Sequence, residues 1–318
     1  MCNDIVQERI QSMIQNPLVS IIIVSYNRLD ALRRTLDDLV HFVTEPNAEI
    51  ILVDNASQEP VVDTVRREFP QVHLIPNERN VGFGGGNNIG AKHARGQFLL
   101  FANSDLILHG NPLAAMLGMF QSNPRAGIVG CQLLNTDGSL QPSYFRFPSL
   151  TMRIIQLSGL KALLNKIYPG LRFKYDSAFK LDFVSGAFFM ISSALFFEVG
   201  GFDERYFMYL EDADLGFQVK RKGKESVLLN RQDIIHIGQH YEEIGHPFVY
   251  YHMNIGQIKF YAKNYVRWKY YTFVLISIAI FSWKLFRSQW KRQASLEQKQ
   301  MREILHLYIT ALSVVPKS

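Results

Sequence analysis

Cysteine is nearly missing from this chain. Cys2 and Cys131 are the only two, with no paired spacing that would build a disulfide framework or a zinc site. A reducing compartment is the expectation. Nothing reads as a secretory leader either: Met1 to Asn16 is polar, with neither an apolar core segment nor a small-residue cleavage site, and the cytoplasm is the expected location. Charged residues are only 19% of the 318, against 47% hydrophobic, which excludes a largely disordered protein and fits one or two globular domains. Two nucleotide-binding signatures are absent. The glycine-rich stretch from Gly82 has Asn87 where the dinucleotide fingerprint needs its third glycine, and no Gly-Lys-Ser/Thr completes a P-loop. Nor does the net charge of +6 make a nucleic-acid binder. Residues 259–303 carry ten Lys/Arg and two acids, so the remainder is near neutral, with 24 basic against 26 acidic side chains.

What is present is a strand and helix alternation. Val19 to Val24 is a β-branched run that reads as a strand ending in Ser25-Tyr26-Asn27-Arg28. Asp30 reads as the N-cap of a helix with Leu32, Leu36, Leu39 and Val40 on one face. Glu49 to Val53 is a second strand, ending in Asp54-Asn55-Ala56-Ser57, and helical spacing follows through Val61, Val62, Val65 and Phe69 to Pro70. Val72 to Ile75 and Gly96 to Ala102 read as strands three and four, Pro112 to Gln121 as a helix, and Gly127 to Gly130 and Phe183 to Ile191 as further strands. This βαβα order predicts an α/β fold, a mostly parallel sheet flanked by helices, with ligands at the carboxyl ends of the strands. Residues 143–180, aromatic and basic without clean periodicity, read as a loop region covering an acceptor.

Four stretches carry candidate chemistry. Phe98 to Ala102 stops abruptly at Asn103-Ser104-Asp105, either a turn or a place to hold a metal or a phosphate. Asn80 to Ala91 packs glycines and asparagines before a helix, either a flexible turn or a loop wrapping a diphosphate. A helix from about Glu211 to Lys222 puts Asp212, Leu215 and Val219 on its inward face. There Asp212 is either a base with a raised pKa or, with Glu211 and Asp214, a complement to the helix dipole. His236 ends the apolar-alternating run Asp233 to Gly238, as a packed core residue or as a ligand.

In order along the chain, Val24-Ser25-Tyr26-Asn27, Val53-Asp54-Asn55-Ala56-Ser57, Asn80 to Asn88, Asn103-Ser104-Asp105, Gly200-Gly201-Phe202-Asp203-Glu204 and Tyr209 to Asp214 resemble the motifs of family 2 glycosyltransferases of the Rossmann-like GT-A fold, most closely the bacterial rhamnosyltransferase branch. The resemblance covers roughly Val19 to Gly238. It implies a donor site for a nucleotide sugar in which Asp54 binds the base or ribose, the backbone around Ser25 and Tyr26, with Asn27, forms the pocket wall, and Asn80, Gly82, Gly85, Asn87, Asn103 and Ser104 line the donor. It implies Asp105 and His236 as ligands of Mg²⁺ or Mn²⁺ and Asp212 as catalytic base, with Glu211 and Gly186 in support. The family's Asp-x-Asp has Asn103 in its first position here, which removes one charge from the metal site. The implied reaction is inverting transfer, in which Asp212 deprotonates an acceptor hydroxyl that attacks the anomeric carbon, by analogy from dTDP-rhamnose. A UDP-hexose donor, or a non-catalytic scaffold or carbohydrate-binding module, are the alternatives.

Tyr270 to Trp283 is an uncharged run of fourteen residues between Lys269 and Lys284. That is short of the roughly twenty a membrane span needs and suits an interfacial or re-entrant helix, with Trp268, Trp283 and Trp290 at the headgroups. The expected organisation is an N-terminal extension over 1–17, the transferase domain over 18–240 and a helical membrane-associating region over 241–318. The expected location is the cytoplasmic face of the inner membrane, peripheral or monotopic, and by analogy the acceptor is an undecaprenyl-diphosphate saccharide.

Overall fold

Val19–Ser25 is apolar on both faces, which suits a central parallel strand, and the computed structural model builds its sheet around it. The structure describes residues 17–42, 48–151, 153–154, 182–238, 245–290, 295–314 and 316. In chain order the first unit contains β1 (Val19–Ser25), α1 (Leu29–Phe42), β2 (Ala48–Asp54), α2 (Val61–Glu68), β3 (His73–Pro76), α3 (Gly82–His93), β4 (Phe98–Asn103), β5 (Leu106–Leu108), α4 (Leu113–Ser122), β6 (Ala126–Leu134), β7 (Tyr144–Phe145), β8 (Phe183–Val184), β9 (Phe188–Ser192), α5 (Ser193–Glu198), α6 (Glu211–Arg221) and β10 (Glu225–His236). The eight-stranded sheet runs β3-β2-β1-β4-β9-β6-β10-β5. Strands β3, β2, β1 and β4 are mutually parallel, β9 is antiparallel to β4 and β6, and β10 is parallel to β6 and antiparallel to β5.

Alternation along β1 sends Ile21 and Ile23 to one apolar layer with Leu32, Leu36 and Leu39 of α1. Ile22 goes to the other, where Phe101, Phe189, Phe196 and Phe202 meet at ring separations of 5.1 to 6.2 Å. Aromatic pairs in this range add to the area they bury.

The structure corrects several expectations. Asp30 lies inside the first turn of α1 and does not cap it. The leading N–H groups of Arg28 and Leu29 go instead to the Glu59 carboxylate, at 2.8 and 2.7 Å. The Phe183 to Ile191 run is two strands broken at Ser185–Ala187, and the short strand β5 follows directly on Asp105. Of the stretch 143–180 expected to cover an acceptor, residues 152 and 155–180 lie outside the described residues, as do residues 1–16 of the expected N-terminal extension.

Among the described residues, a second unit gathers 147–151, 153–154 and 208–210 with the helices α7 (Gly245–Asn264), α8 (Arg267–Trp290) and α9 (Ser295–Ala311). The uncharged run of fourteen is thus the middle of a 24-residue helix. Tyr261 stacks on Phe273 at 4.0 Å, and Tyr270, Phe281 and Tyr308 complete the core. Into it goes Arg153, only 5% exposed. Its guanidinium donates to Ser277 Oγ at 3.0 Å, Gln257 Oε1 at 2.9 Å, Asn254 Oδ1 at 3.1 Å and the Tyr308 hydroxyl, and lies 5.1 to 5.7 Å from the rings of Phe273, Phe281 and Tyr308. Neutral acceptors and ring faces therefore hold this charge, and one side chain ties together all three helices. Arg153→Ala is expected to strand those acceptors and open a cavity, at a cost of about 2–5 kcal/mol. Arg153→Lys, which replaces the planar fork by a point charge, should recover only part of it. Urea unfolding of the full chain checks both.

Candidate functional site

The parallel register places Ser25 beside Asp54 and Val24 beside Asn103, so the carboxyl ends of β1, β2 and β4 lie abreast. The loops that leave them are tightly built. Asn27 and Ala56 adopt left-handed φ values of 60° and 62°. The Asp54 carboxylate is buried and accepts from the Ser57 hydroxyl, Ser57 Oγ accepts from the Asn27 N–H at 2.7 Å, and Asn27 Oδ1 accepts from the Gln58 N–H at 2.8 Å. Asp54 and Asn27 thus join the two loops into one wall. Tyr26 projects from it, exposed.

The glycine stretch beside this wall is helix from its first glycine, a correction to its reading as a loop. Its glycines let helix and strand approach. A Cβ on Gly86 would lie 2.8 Å from Val24 Cγ1, and one on Gly90 would lie 2.5 Å from Ile22 Cγ2. Gly82 has φ +79°, and a Cβ there would lie 2.2 Å from the Phe207 carbonyl oxygen. Asn80 Oδ1 accepts from the Gly82 N–H at 2.9 Å, and Asn55 donates to the Gly82 carbonyl at 3.0 Å. Asn87 is 1% exposed. Its amide donates to the Phe83 carbonyl at 3.0 Å, and its Oδ1 has no hydrogen-bond partner among the described residues. Gly85 sits over Val81, 3.1 Å from where its Cβ would be.

At the end of β4, the Asn103 N–H donates to Ala187 O at 2.9 Å and the Ser104 carbonyl accepts from Thr35 Oγ1 at 3.1 Å. Asp105, 2% exposed, accepts the Gly238 N–H on Oδ2 at 3.2 Å and turns Oδ1 to His236 Nε2 at 3.2 Å. His236 closes β10, opposite Leu106, which brings it beside Asp105, 131 positions away in the chain. The Asn103 amide lies 3.0 Å from the same Nε2, and the other ring nitrogen, Nδ1, is 2.8 Å from Gln141 Oε1. Two ligands in cis positions at ~2.1 Å from an octahedral ion stand about 3.0 Å apart, so the Asp105 and His236 donors fit one divalent cation. Among the described residues no three His, Cys, Asp or Glu side chains gather into a larger set. The remaining positions around such an ion would fall to water and ligand oxygens.

Asp212 stands in the first turn of α6, partly open to solvent. Its Oδ2 accepts from the Gly186 N–H at 3.1 Å and its Oδ1 from the Ala213 N–H at 2.8 Å. Gly186, in the break between β8 and β9, thus supports the carboxylate through its backbone. Burial raises the Asp212 pKa above the usual carboxylate range, against the pull of these N–H groups. Glu211 is 5% exposed, and its Oε2 has no hydrogen-bond partner among the described residues. Burial first, and the Asp212 charge second, push its pKa well up. Both carboxyls of the pair are thus shifted toward the protonated form, by burial before anything else.

The structure thus places three groupings in the first unit. They are the Ser25, Tyr26, Asn27 and Asp54 wall with Asn80 just before the adjoining helix and Gly82, Gly85 and Asn87 on it, the Asn103, Asp105 and His236 corner, and Asp212 with Glu211 and Gly186. Sequence reasoning missed Gln141, which reaches His236 across 95 positions, and Asn55, whose amide joins β2 to α3. The one available signal for Gln141 was a polar side chain just beyond the turn at Thr136-Asp137-Gly138.

The family model for glycosyl transferase family 2 matches residues 20–197. An N-acetylglucosaminyl-diphospho-decaprenol L-rhamnosyltransferase of Mycobacterium tuberculosis is 28% identical over 244 residues, 70% of this chain and 77% of that protein. Rhamnosyltransferase WbbL of Escherichia coli is 26% identical over 231 residues, 70% of this chain and 84% of its own. Among solved structures, the mannosyltransferase PcManGT of Pyrobaculum calidifontis in complex with GDP-Man and Mn²⁺ superposes with a TM-score of 0.54, covering 94% of this chain and 74% of that one at 15% identity. That likeness shows the fold, which is GT-A.

Proposed function

The chain belongs to glycosyl transferase family 2, and from that premise we propose that it is an inverting transferase that moves L-rhamnose from dTDP-rhamnose to a hydroxyl of a lipid-linked saccharide in cell-surface polysaccharide synthesis. The observation that carries this reading is Asp212. Two backbone N–H groups orient its carboxylate, its raised pKa suits a base, and solvent reaches it. Asp212 takes the proton of the acceptor hydroxyl as that oxygen bonds to the anomeric carbon and the bond from that carbon to the diphosphate oxygen breaks. The configuration inverts and the nucleoside diphosphate departs. The wall of Ser25, Tyr26, Asn27 and Asp54 holds base and ribose, and Asn80, Gly82, Gly85, Asn87, Asn103 and Ser104 face the sugar and diphosphate. Asp105 and His236 would hold Mg²⁺ or Mn²⁺, which when bound neutralises the leaving diphosphate.

The donor and acceptor rest on the relatives. Two are named rhamnosyltransferases, and the first acts on a decaprenol-linked diphosphate sugar by its name. Incubating the purified chain with dTDP-rhamnose, UDP-hexoses and a polyprenyl-diphosphate saccharide, with and without EDTA, tests them. Transfer from dTDP-rhamnose that EDTA removes supports the reading; transfer from UDP-hexoses alone replaces the donor, and no transfer from any donor overturns the enzyme.

The second unit supports an enzyme held at the cytoplasmic face of the inner membrane. Residues Arg267–Ser288 of α8 are long and apolar enough to cross a membrane by length and composition. The helix nevertheless buries Tyr270, Phe273, Val274, Ser277 and Phe281 on one face, while Trp268, Leu275, Trp283 and Phe286 on the opposite face are each more than half exposed. A helix packed on one side and apolar on the other lies in the interface, with the surrounding Lys and Arg adding ~1 kcal/mol each on anionic lipid. Leu275→Asp with Trp283→Asp should cut co-sedimentation with phosphatidylglycerol vesicles at least tenfold. Binding that the pair leaves unchanged would remove α8 from the membrane contact.

A further inference from the structure

Gln141 belongs to none of the family motifs quoted above, yet of the Gln141, Asn103 and Asp105 contacts to the His236 ring its contact is the shortest. Its Nε2 donates to Asn135 Oδ1 at 3.0 Å and to the His236 carbonyl oxygen at 3.1 Å. Both partners are acceptors, so the amide has one orientation, and its Oε1 is the atom that faces His236 Nδ1 at 2.8 Å. An acceptor at Nδ1 requires the proton there. In a ring that carries one proton the lone pair is then on Nε2, the atom that the Asn103 amide nitrogen faces at 3.0 Å. Nε2 is also the atom turned toward Asp105 Oδ1 at 3.2 Å.

We infer that Gln141 is a positioning residue that fixes His236 as its Nδ1–H tautomer and so makes Asp105 and His236 a pair of cation ligands instead of a hydrogen-bonded pair. With the proton on Nε2, the ring would donate to Asp105 and both donor atoms would be consumed by each other. With the proton held on Nδ1, a carboxylate oxygen and a nitrogen lone pair face one point, an arrangement that a divalent cation between them stabilises. Asn103 provides a weaker partner for that lone pair until a cation takes it. This inference rests on the reading of Asp105 and His236 as metal ligands, and the test separates the two.

The experiment uses the full chain, wild type, Gln141→Leu and Gln141→Glu. Histidine ¹⁵N shifts report the tautomer of His236, assigned by its loss in His236→Ala, and Mn²⁺ alone is titrated by electron paramagnetic resonance. The wild type should show the Nδ1–H form. Gln141→Leu should lose that form and bind Mn²⁺ about 10–100-fold more weakly, the range for second partners of metal-bound histidines. Gln141→Glu, which keeps an acceptor at Nδ1, should retain the tautomer and most of the affinity. An Nε2–H ring in the wild type, or a Gln141→Leu variant with tautomer and affinity unchanged, overturns the inference. A wild type that binds no Mn²⁺ while showing the Nδ1–H form that Gln141→Leu loses overturns the metal reading and leaves the positioning of His236 standing.

Discussion

Asp212→Asn is expected to lower kcat by about 10³-fold, the span a general base supplies, while nucleotide-sugar affinity stays within about threefold. The amide has the size of the carboxylate but cannot accept the acceptor's proton. It also has one acceptor oxygen where Asp212 uses two, for the N–H groups of Gly186 and Ala213, so one of those loses its partner at a cost of about 1–3 kcal/mol. A thermal melt run beside the kinetics keeps that local loss apart from the chemistry. The pH profile gives the same assignment a second test. A base at Asp212 would work only when ionised, and burial raises its pKa, so kcat should fall as pH drops through that raised value. Burial, and after it the Asp212 charge, raise the Glu211 pKa as well, so Glu211→Gln, which keeps an uncharged group of the same size there, should leave this acid limb in place. Its sign in stability is opposite to that of a salt-bridged acid. The raised Glu211 pKa favours the folded state below the ordinary carboxyl range, and that contribution is lost as pH rises from the unfolded value toward the folded one.

Asp105→Asn is expected to abolish Mn²⁺ binding and to cost about 10²–10³-fold in kcat/KM at fixed metal, with the melting temperature nearly unchanged. The amide oxygen can still accept the Gly238 N–H, and its nitrogen can share the His236 lone pair with the Asn103 amide, so the fold keeps its contacts at the proposed cation site. Metal titration followed by a melt separates this from damage. A variant that retains wild-type Mn²⁺ affinity would take the metal away from Asp105.

Much of this corner was legible because buried parallel strands are written as continuous apolar runs that stop at polar residues. The ends of β1, β2 and β4 could be read at Ser25, Asp54 and Asn103 for that reason. The glycine stretch misled because helix propensity argues against glycine, whereas the close approach at Gly86 and Gly90 rewards it, a tertiary contact that no local pattern encodes. Distance in sequence hid the rest. Glu59 caps α1 from 30 positions away, and Gln141 reaches His236 across 95. Three-residue β5 was too short to stand out beside the Asn103-Ser104-Asp105 motif it follows.

The most direct measurement is the anomeric configuration of the transferred sugar, read by NMR from the one-bond carbon–hydrogen coupling of the product against that of the donor. A single displacement driven by Asp212 gives the inverted anomer, and loses it in Asp212→Asn. A product with the donor's own configuration would contradict Asp212 as the base of a direct displacement.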